Sequence, residues 1–157
     1  MKLKDVLKEN QAYFDIDVQS KEALFVFASE KMQTLGLIDD KEMFIKDLYE
    51  REAQSPTGMG DLWAIPHAQS DVVKASSVLF VKTKEAISYE SLEGDTSQYF
   101  FFIAVPKTLA SDQVKILSGI ANLLMDEDFK ALMKDVKDAK SLIALIDQKE
   151  TKEVTQT

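Results

Sequence analysis

The residue types able to do chemistry are concentrated in one segment, residues 51–67. This segment contains the only arginine of the chain, Arg51, the only histidine, His67, and the only tryptophan, Trp63. A neutral imidazole is available near pH 7 as a nucleophile, and a guanidinium grips phosphate or carboxylate through a planar fork. The pair suggests a small anionic site, and a phosphorylated histidine beside an arginine makes physical sense there, because phosphoryl transfer is catalysed mainly by positioning and charge stabilisation.

The position of His67 also favours a functional role. It follows Pro66, which cannot donate to a sheet ladder, so we predict that a strand ends there and that His67 is a loop residue near the surface. Upstream, Thr57-Gly58-Met59-Gly60 reads as a turn whose backbone N–H groups could face an anion.

Structural explanations of the same residues remain open. A lone histidine is more often a structural residue than a catalyst, Arg51 could bond only the last carbonyls of a helix, and Thr57-Gly58 could be only a turn. No Gly-x-Ser-x-Gly element supports a serine triad. One histidine and no cysteine argue against a transition-metal site, and we predict neither a metal nor a cofactor.

Composition excludes several classes of protein. The chain has 157 residues, enough for one domain, and a net charge of −8, which argues against nucleic-acid binding. No apolar run approaches the ~20 residues of a membrane-spanning helix, and the charged start does not resemble a signal peptide. The absence of cysteine excludes disulfides and thiol catalysis. We therefore expect a cytoplasmic protein that is not inserted in a membrane.

The elements that must position these residues alternate along the chain between strand and helix patterns. In the first half we predict strands at 14–18 and 62–65 and helices at 21–35 and 39–52. Ser20 is the expected N-cap of the first helix, and Asp39 with Glu42 resembles a capping box for the second. The inner face of the first helix is predicted to carry Ala23, Leu24, Phe27, Ala28 and Leu35.

The second half ends in consecutive helices. We predict strands at 78–81, 87–89 and 99–105, a turn at Glu93-Gly94-Asp95, and helices at 112–125, 126–133 and 140–146. Ser111 should cap the first of these helices, and its inner face should include Val114. Residues 149–157 are polar and should be frayed. Strands and helices mixed in one short chain indicate helices packed on a sheet, an α/β single domain.

Three short motifs occur in a fixed order. They are Arg51-Glu52-Ala53, Thr57-Gly58-Met59-Gly60 and Ala64-Ile65-Pro66-His67. In this spacing they resemble the signature of the EIIA domain of the fructose/mannitol class of the bacterial sugar phosphotransferase system. The resemblance continues through Ala104-Val105-Pro106 and the apolar pairs of the following helix, and it covers roughly residues 3–147.

The resemblance implies a mixed β-sheet flanked by helices, with the domain at residues 1–147 and a polar tail at 148–157. It also implies that His67 takes a phosphoryl group from the phosphocarrier protein HPr and passes it to a cysteine of an EIIB domain. Arg51 would stabilise the phosphorylated state. Our own hypothesis, from the turn at these residues, adds that N–H groups of Thr57 and Gly58 hold phosphoryl oxygens. Gln113 occupies the place where many members carry a second histidine; its amide can donate to phosphate but cannot be cationic.

The sequence departs from the family at two further positions. Leu62 replaces a common glycine and Trp63 replaces a common aliphatic residue. We expect a phosphotransferase component with a phosphohistidine intermediate, acting in sugar uptake, with Trp63 and Met59 as contacts for both partners. The alternatives are a regulatory nitrogen-type EIIA, which acts by phosphorylation-dependent protein binding, and an interaction domain whose site is no longer used.

Overall fold

A long apolar strand lies in the middle of the protein. In the computed structural model, which describes residues 1–91 and 94–156 (for 152–156 the backbone only), this strand is Thr96–Pro106. Six strands of the described residues form one mixed sheet. They are β1 (Ala12–Ile16), β2 (Gly58–Gly60), β3 (Leu62–Ala64), β4 (His67–Ser70), β5 (Ser77–Ser88) and β6 (Thr96–Pro106). The order is β1-β5-β6-β3-β2, and β4 also pairs with β6.

Helices cover both faces of this sheet. They are α1 (Lys21–Thr34), α2 (Lys41–Gln54), α3 (Ala110–Leu124), α4 (Glu127–Met133) and α5 (Ala139–Gln156). One apolar cluster joins the sheet to α1 and α2, and a second joins its other face to α3, α4 and α5. Phe100 and Phe101, adjacent in β6, belong to different clusters because successive side chains of a strand point to opposite faces. The predicted α/β fold, with a mixed sheet flanked by helices, is confirmed.

The helix starts follow the sequence signals in part. The Ser20 side chain accepts a hydrogen bond from the Ala23 backbone N–H, so the predicted cap of α1 is confirmed. The cap of α2 is Asp40, which accepts from Met43 N–H, and the prediction of Asp39 is wrong by one residue. Ser111 is also wrong as a cap, because α3 begins before it and has no side-chain cap.

Two helices are rotated relative to the predicted faces. In α1, Ala23 is exposed, while Phe25 is fully buried. The run Leu24-Phe25-Val26-Phe27 is apolar on every side, so helical spacing alone does not select a face. In α3, Val114 is 66% exposed. The buried residues of α3 are Ile116, Ile120, Leu123 and Leu124.

Several elements extend beyond their predicted limits. The predicted strands at 78–81 and 87–89 are parts of one strand, β5, whose register with β6 shifts between Lys82 and Ile87. The last helix ends at Gln156 instead of residue 146, so the predicted frayed tail is helical as far as the structure describes it. Glu93, in the predicted turn, lies outside the described residues. None of the helices in the described part of the chain is both long and apolar enough to cross a bilayer.

Candidate functional site

His67 is held inside the sheet, as the first residue of β4. It pairs in parallel with Ile103 of β6, and only 4% of its surface is exposed. The prediction of a loop residue near the surface is therefore wrong. Pro66 does end the β3 ladder, but its carbonyl still accepts a hydrogen bond from the Ile103 N–H at 3.0 Å. The ladder thus resumes directly after the proline, so the backbone that carries the imidazole is hydrogen-bonded to the central strand β6.

Two hydrogen bonds fix the protonation pattern of the imidazole. Its Nδ1 lies 2.7 Å from the carbonyl oxygen of Ile65, which can only accept, so Nδ1 carries the proton. Its Nε2 lies 3.2 Å from Nε of Arg51, whose N–H donates to it. The lone pair of the neutral ring is therefore on Nε2. A nucleophilic nitrogen and a guanidinium face each other in the free protein.

The surroundings keep this imidazole neutral. Burial lowers the pKa of His67 below its ordinary value, and the positive charge of Arg51 lowers it further. The hydrogen bond to the Ile65 carbonyl and the negative charge of Glu52 act in the opposite direction, but the pKa stays lowered. The lowered pKa favours the neutral ring, with its lone pair on Nε2, near pH 7.

Arg51 reaches His67 from the last turn of α2. Its Nη1 donates to the carbonyl oxygen of Ser55 at 2.9 Å, just beyond the end of the helix, while its Nε–H points to the imidazole. The sequence Ser55-Pro56 stops the helix there. The guanidinium is therefore held at two points, and the remaining N–H groups of its fork are available to an incoming anion.

A cavity of about 330 Å³ opens beside this pair. Its lining is largely polar and comes from α2, from β4 and from the segment around α3. The lining residues are Asp47, Glu50, Arg51, Gln54, His67, Ala68, Gln69, Lys107 and Gln113. The Oε1 atom of Gln113 is buried there without a hydrogen-bond partner. Within the described residues, no group of three His, Cys, Asp or Glu side chains is arranged to hold a metal ion.

The structure brings Arg51, His67 and Gln113 to this cavity, but not Thr57 and Gly58. The Thr57 hydroxyl contacts the carboxylate of Glu52 and the hydroxyl of Tyr89. Gly58 belongs to β2 and packs so closely on the chain that a Cβ there would lie 2.5 Å from the Glu90 carbonyl oxygen. In this structure Gly58 thus permits a close approach between two segments of backbone.

The sequence did not indicate that Glu52 and Tyr89 lie next to the site. It also led to the wrong prediction that Trp63 contacts partner proteins. Trp63 is 2% exposed and stacks on Tyr99 with ring centroids 4.6 Å apart, so it belongs to the core and does not offer a partner a contact. Met59, the other expected contact, is 45% exposed. The sequence could have indicated Glu52, because it is the direct neighbour of Arg51. Nothing in the sequence connects Tyr89 to this segment.

Comparisons with known proteins show which family the chain resembles. Residues 5–149 match the family model of the phosphoenolpyruvate-dependent sugar phosphotransferase system, EIIA 2. The chain is 27% identical over 148 residues to the fructose-specific EIIABC component of Bacillus subtilis, with 94% of this chain but 23% of that protein covered, so it spans about a quarter of that relative. It is 28% identical over 123 residues to the fructose-specific EIIA component of Haloferax volcanii, covering 78% of this chain and 80% of that protein.

Among solved structures, the nitrogen regulatory protein IIA-Ntr of Neisseria meningitidis superposes with a TM-score of 0.79 at 23% identity, covering 90% of this chain and 97% of that one. This likeness concerns the fold. With a family model that matches nearly the whole chain, a shared fold, and the motif residues Arg51 and His67 in contact, the protein belongs to the EIIA 2 family of the phosphoenolpyruvate-dependent sugar phosphotransferase system.

Proposed function

We propose that this protein is a cytoplasmic phosphocarrier that accepts a phosphoryl group from HPr on Nε2 of His67. It then passes the group to a cysteine of an EIIB partner during sugar uptake. The observation that carries this proposal is the unprotonated Nε2 facing a polar cavity beside the only guanidinium of the chain. Membership of the EIIA family supports the phosphocarrier role, and the donor, the acceptor and the phosphohistidine are our assignments.

The transfer is an in-line displacement at phosphorus. The Nε2 lone pair forms the new N–P bond while the P–N bond to the donor histidine breaks and its electron pair returns to the donor nitrogen. The Nδ1 proton stays on the ring of His67, held by the Ile65 carbonyl, so no proton has to leave the acceptor. Transfer to EIIB repeats the displacement with a thiolate as the nucleophile.

Arg51 must change partner during this step. In the free protein its Nε–H occupies the same lone pair that attacks phosphorus. We therefore assign it a shift from Nε2 to the phosphoryl oxygens, where a fork of N–H donors stabilises the charge of the transferring group. The Gln113 amide and the Lys107 ammonium line the same cavity and provide further donors. The contact predicted for the N–H groups of Thr57 and Gly58 stays a prediction.

A phosphorylation assay tests the proposal. The protein is incubated with phosphoenolpyruvate, Enzyme I and HPr, and the product is analysed by mass spectrometry. We expect one acid-labile phosphoryl group that maps to His67. His67→Gln should fold normally and accept none, because an amide is not a nucleophile of this kind. No gain in the wild-type protein, with the partners shown to be active, would favour the interaction domain with an unused site.

The acceptor separates transport from regulation. The Bacillus relative is named as an EIIABC component, which supports an EIIB partner in a sugar-uptake system. Phosphorylated protein is mixed with purified EIIB domains of the fructose type, and transfer to the EIIB cysteine is followed. Transfer supports uptake. Phosphorylation without transfer to any EIIB domain supports the regulatory, nitrogen-type role that the sequence left open.

A further inference from the structure

A buried carboxylate follows Arg51 in the sequence. The Glu52 side chain is only 6% exposed, and a carboxylate is seldom buried without partners. It accepts hydrogen bonds from the Tyr89 hydroxyl at 2.7 Å, from the Thr57 hydroxyl, and from the Thr57 backbone N–H at 3.4 Å. Lys21 Nζ, at 3.4 Å, supplies the balancing positive charge. The displacement at phosphorus does not use this group, so its burial calls for another role.

The first connection from Glu52 leads to the guanidinium. Consecutive residues of a helix project about 100° apart, so a Glu52 side chain fixed in the interior turns Arg51 toward a different face. Glu52 and Thr57 also bracket the chain segment that leaves α2. That segment contains Ser55, whose carbonyl accepts from Arg51 Nη1. The bonds between Glu52 and Thr57 thus fix the helix end and the carbonyl that together hold Arg51.

The second connection leads to the imidazole. The backbone carbonyl of Thr57 accepts a hydrogen bond from the Ile65 N–H at 3.0 Å. The carbonyl of Ile65 in turn accepts the Nδ1 proton of His67. Thr57 is therefore the point from which short hydrogen-bonded paths reach both members of the site.

The surroundings of Tyr89 keep its hydroxyl protonated. Burial, and then the negative charge of Glu52, raise the pKa of the Tyr89 hydroxyl far above its ordinary value, so Tyr89 remains a donor at every pH that the protein meets. Its ring lies under the Lys21 ammonium, with Nζ 4.7 Å from the centroid. Tyr89 comes from the end of β5, so the cluster ties three separate segments together.

We propose that Glu52 is a positioning residue, whose carboxylate, bonded by Thr57 and Tyr89, sets the approach of the Arg51 guanidinium to the His67 imidazole. Its effect on the transfer rate rests on the proposed function, whereas the alignment itself is a property of the free protein.

The alignment is measurable because each partner is unique in the chain. One arginine gives one side-chain Nε–H signal in a nitrogen–proton NMR spectrum, and one histidine gives one imidazole titration. In Glu52→Gln we expect the Arg51 Nε–H signal to shift and to exchange faster with water. Loss of the Glu52 charge lowers the pKa of His67 and displacement of Arg51 raises it, so the two effects oppose each other and the Arg51 signal carries the comparison. Glu42→Gln, the same change at an exposed position of α2, should alter neither signal.

A second pair of variants distinguishes the loss of the Thr57 hydroxyl from a loss of the fold. Thr57→Val removes the hydroxyl and Thr57→Ser keeps it. We expect Thr57→Val to slow phosphoryl transfer from HPr ~10- to 100-fold, the range for a small misplacement of reacting groups. Thr57→Ser should keep most of the wild-type rate. Circular dichroism of each variant checks that it is folded.

The outcomes separate this inference from the proposed function. If wild-type protein accepts phosphate while Glu52→Gln and Thr57→Val keep its rate and its Arg51 signal, the positioning role is overturned. If wild-type protein accepts no phosphate, the proposed function fails, but the NMR comparison still decides the alignment. A shifted and faster-exchanging Arg51 signal in Glu52→Gln, together with a transfer rate near that of the wild-type protein in Thr57→Ser, supports the inference.

Discussion

Arg51 has two opposite effects on His67, and removing its side chain should separate them. In the free protein its Nε–H covers the Nε2 lone pair at 3.2 Å. In the transfer that we propose, the same guanidinium would stabilise the phosphoryl group. We therefore expect Arg51→Met to make the imidazole more reactive toward a small uncharged electrophile and less reactive toward phosphorylated HPr.

The size of both changes follows from the hydrogen bond that is lost. A hydrogen bond to a charged group contributes ~1.5–3 kcal/mol, and each 1.4 kcal/mol is about tenfold in a rate or an equilibrium. The pair is only partly buried, so water weakens the bond and the lower end of this range applies. We expect reaction with the electrophile to rise ~10-fold and transfer to fall ~10-fold or more. Arg51→Lys, which keeps the charge but not the fork, should also slow transfer.

The assay for the first effect is carbethoxylation by diethylpyrocarbonate, followed by ultraviolet difference absorbance. Lys107→Met is the matched control, because it removes a positive charge from the lining of the same cavity without touching the imidazole. Lys107→Met should leave the carbethoxylation rate near that of the wild-type protein. An Arg51→Met protein that is carbethoxylated no faster than Lys107→Met would refute the idea that Arg51 covers the lone pair.

Three further predictions concern separate parts of the structure. Because burial lowers the pKa of His67, the unfolded chain takes up a proton first as the pH falls below about 6.5. Denaturant titrations should therefore show the free energy of unfolding decreasing from there toward the lower folded pKa, a component absent from His67→Gln. Gln113→Ala should slow transfer ~2- to 10-fold, the value of one ordinary hydrogen bond, in a single-turnover assay with phosphorylated HPr; an unchanged rate would remove Gln113 from the phosphate environment. Gly58→Ala should destabilise the fold by ~1–3 kcal/mol or more through its collision with the Glu90 carbonyl. Gly119→Ala, whose Cβ meets open space in α3, should be neutral or stabilising, and equal unfolding midpoints for the two variants would contradict the close contact at Gly58.

Much of the fold could be predicted because its signals are local. The apolar run that forms β6 identified a strand covered on both faces, Pro106 marked its end, and Ser20 marked the start of α1. The contact between Arg51 and His67 followed from their rarity and spacing. The strand and helix signals depend on side-chain type and on residues a few positions apart, whereas Arg51 and His67 are 16 positions apart and were connected by their rarity.

The burial of His67 could not be predicted, because it depends on pairing with Ile103, a residue far along the chain. The strand His67–Ser70 is short and carries Gln69 and Ser70, so it has no strand pattern of its own; it exists because β6 offers a parallel edge at Ile103. The cluster around Glu52 likewise needs Tyr89, which arrives from the end of β5. Trp63 was misread because an unusual residue in a functional segment suggested a contact, whereas its ring fills the core against Tyr99.

The pairing of β4 with β6 also has a consequence for folding order. Arg51 and His67 are close in sequence, but the ladder that orients the imidazole is supplied by residues 103–106. Closing such a loop costs chain entropy before any pairing energy is returned, which makes non-local strand pairing a slow event in folding. A growing chain therefore cannot orient His67 as the folded protein does until β6 has emerged and docked. In the phosphocarrier that we propose, the ability to accept a phosphoryl group would report that β4 and β6 have paired, and it would serve as a kinetic probe of that step in folding.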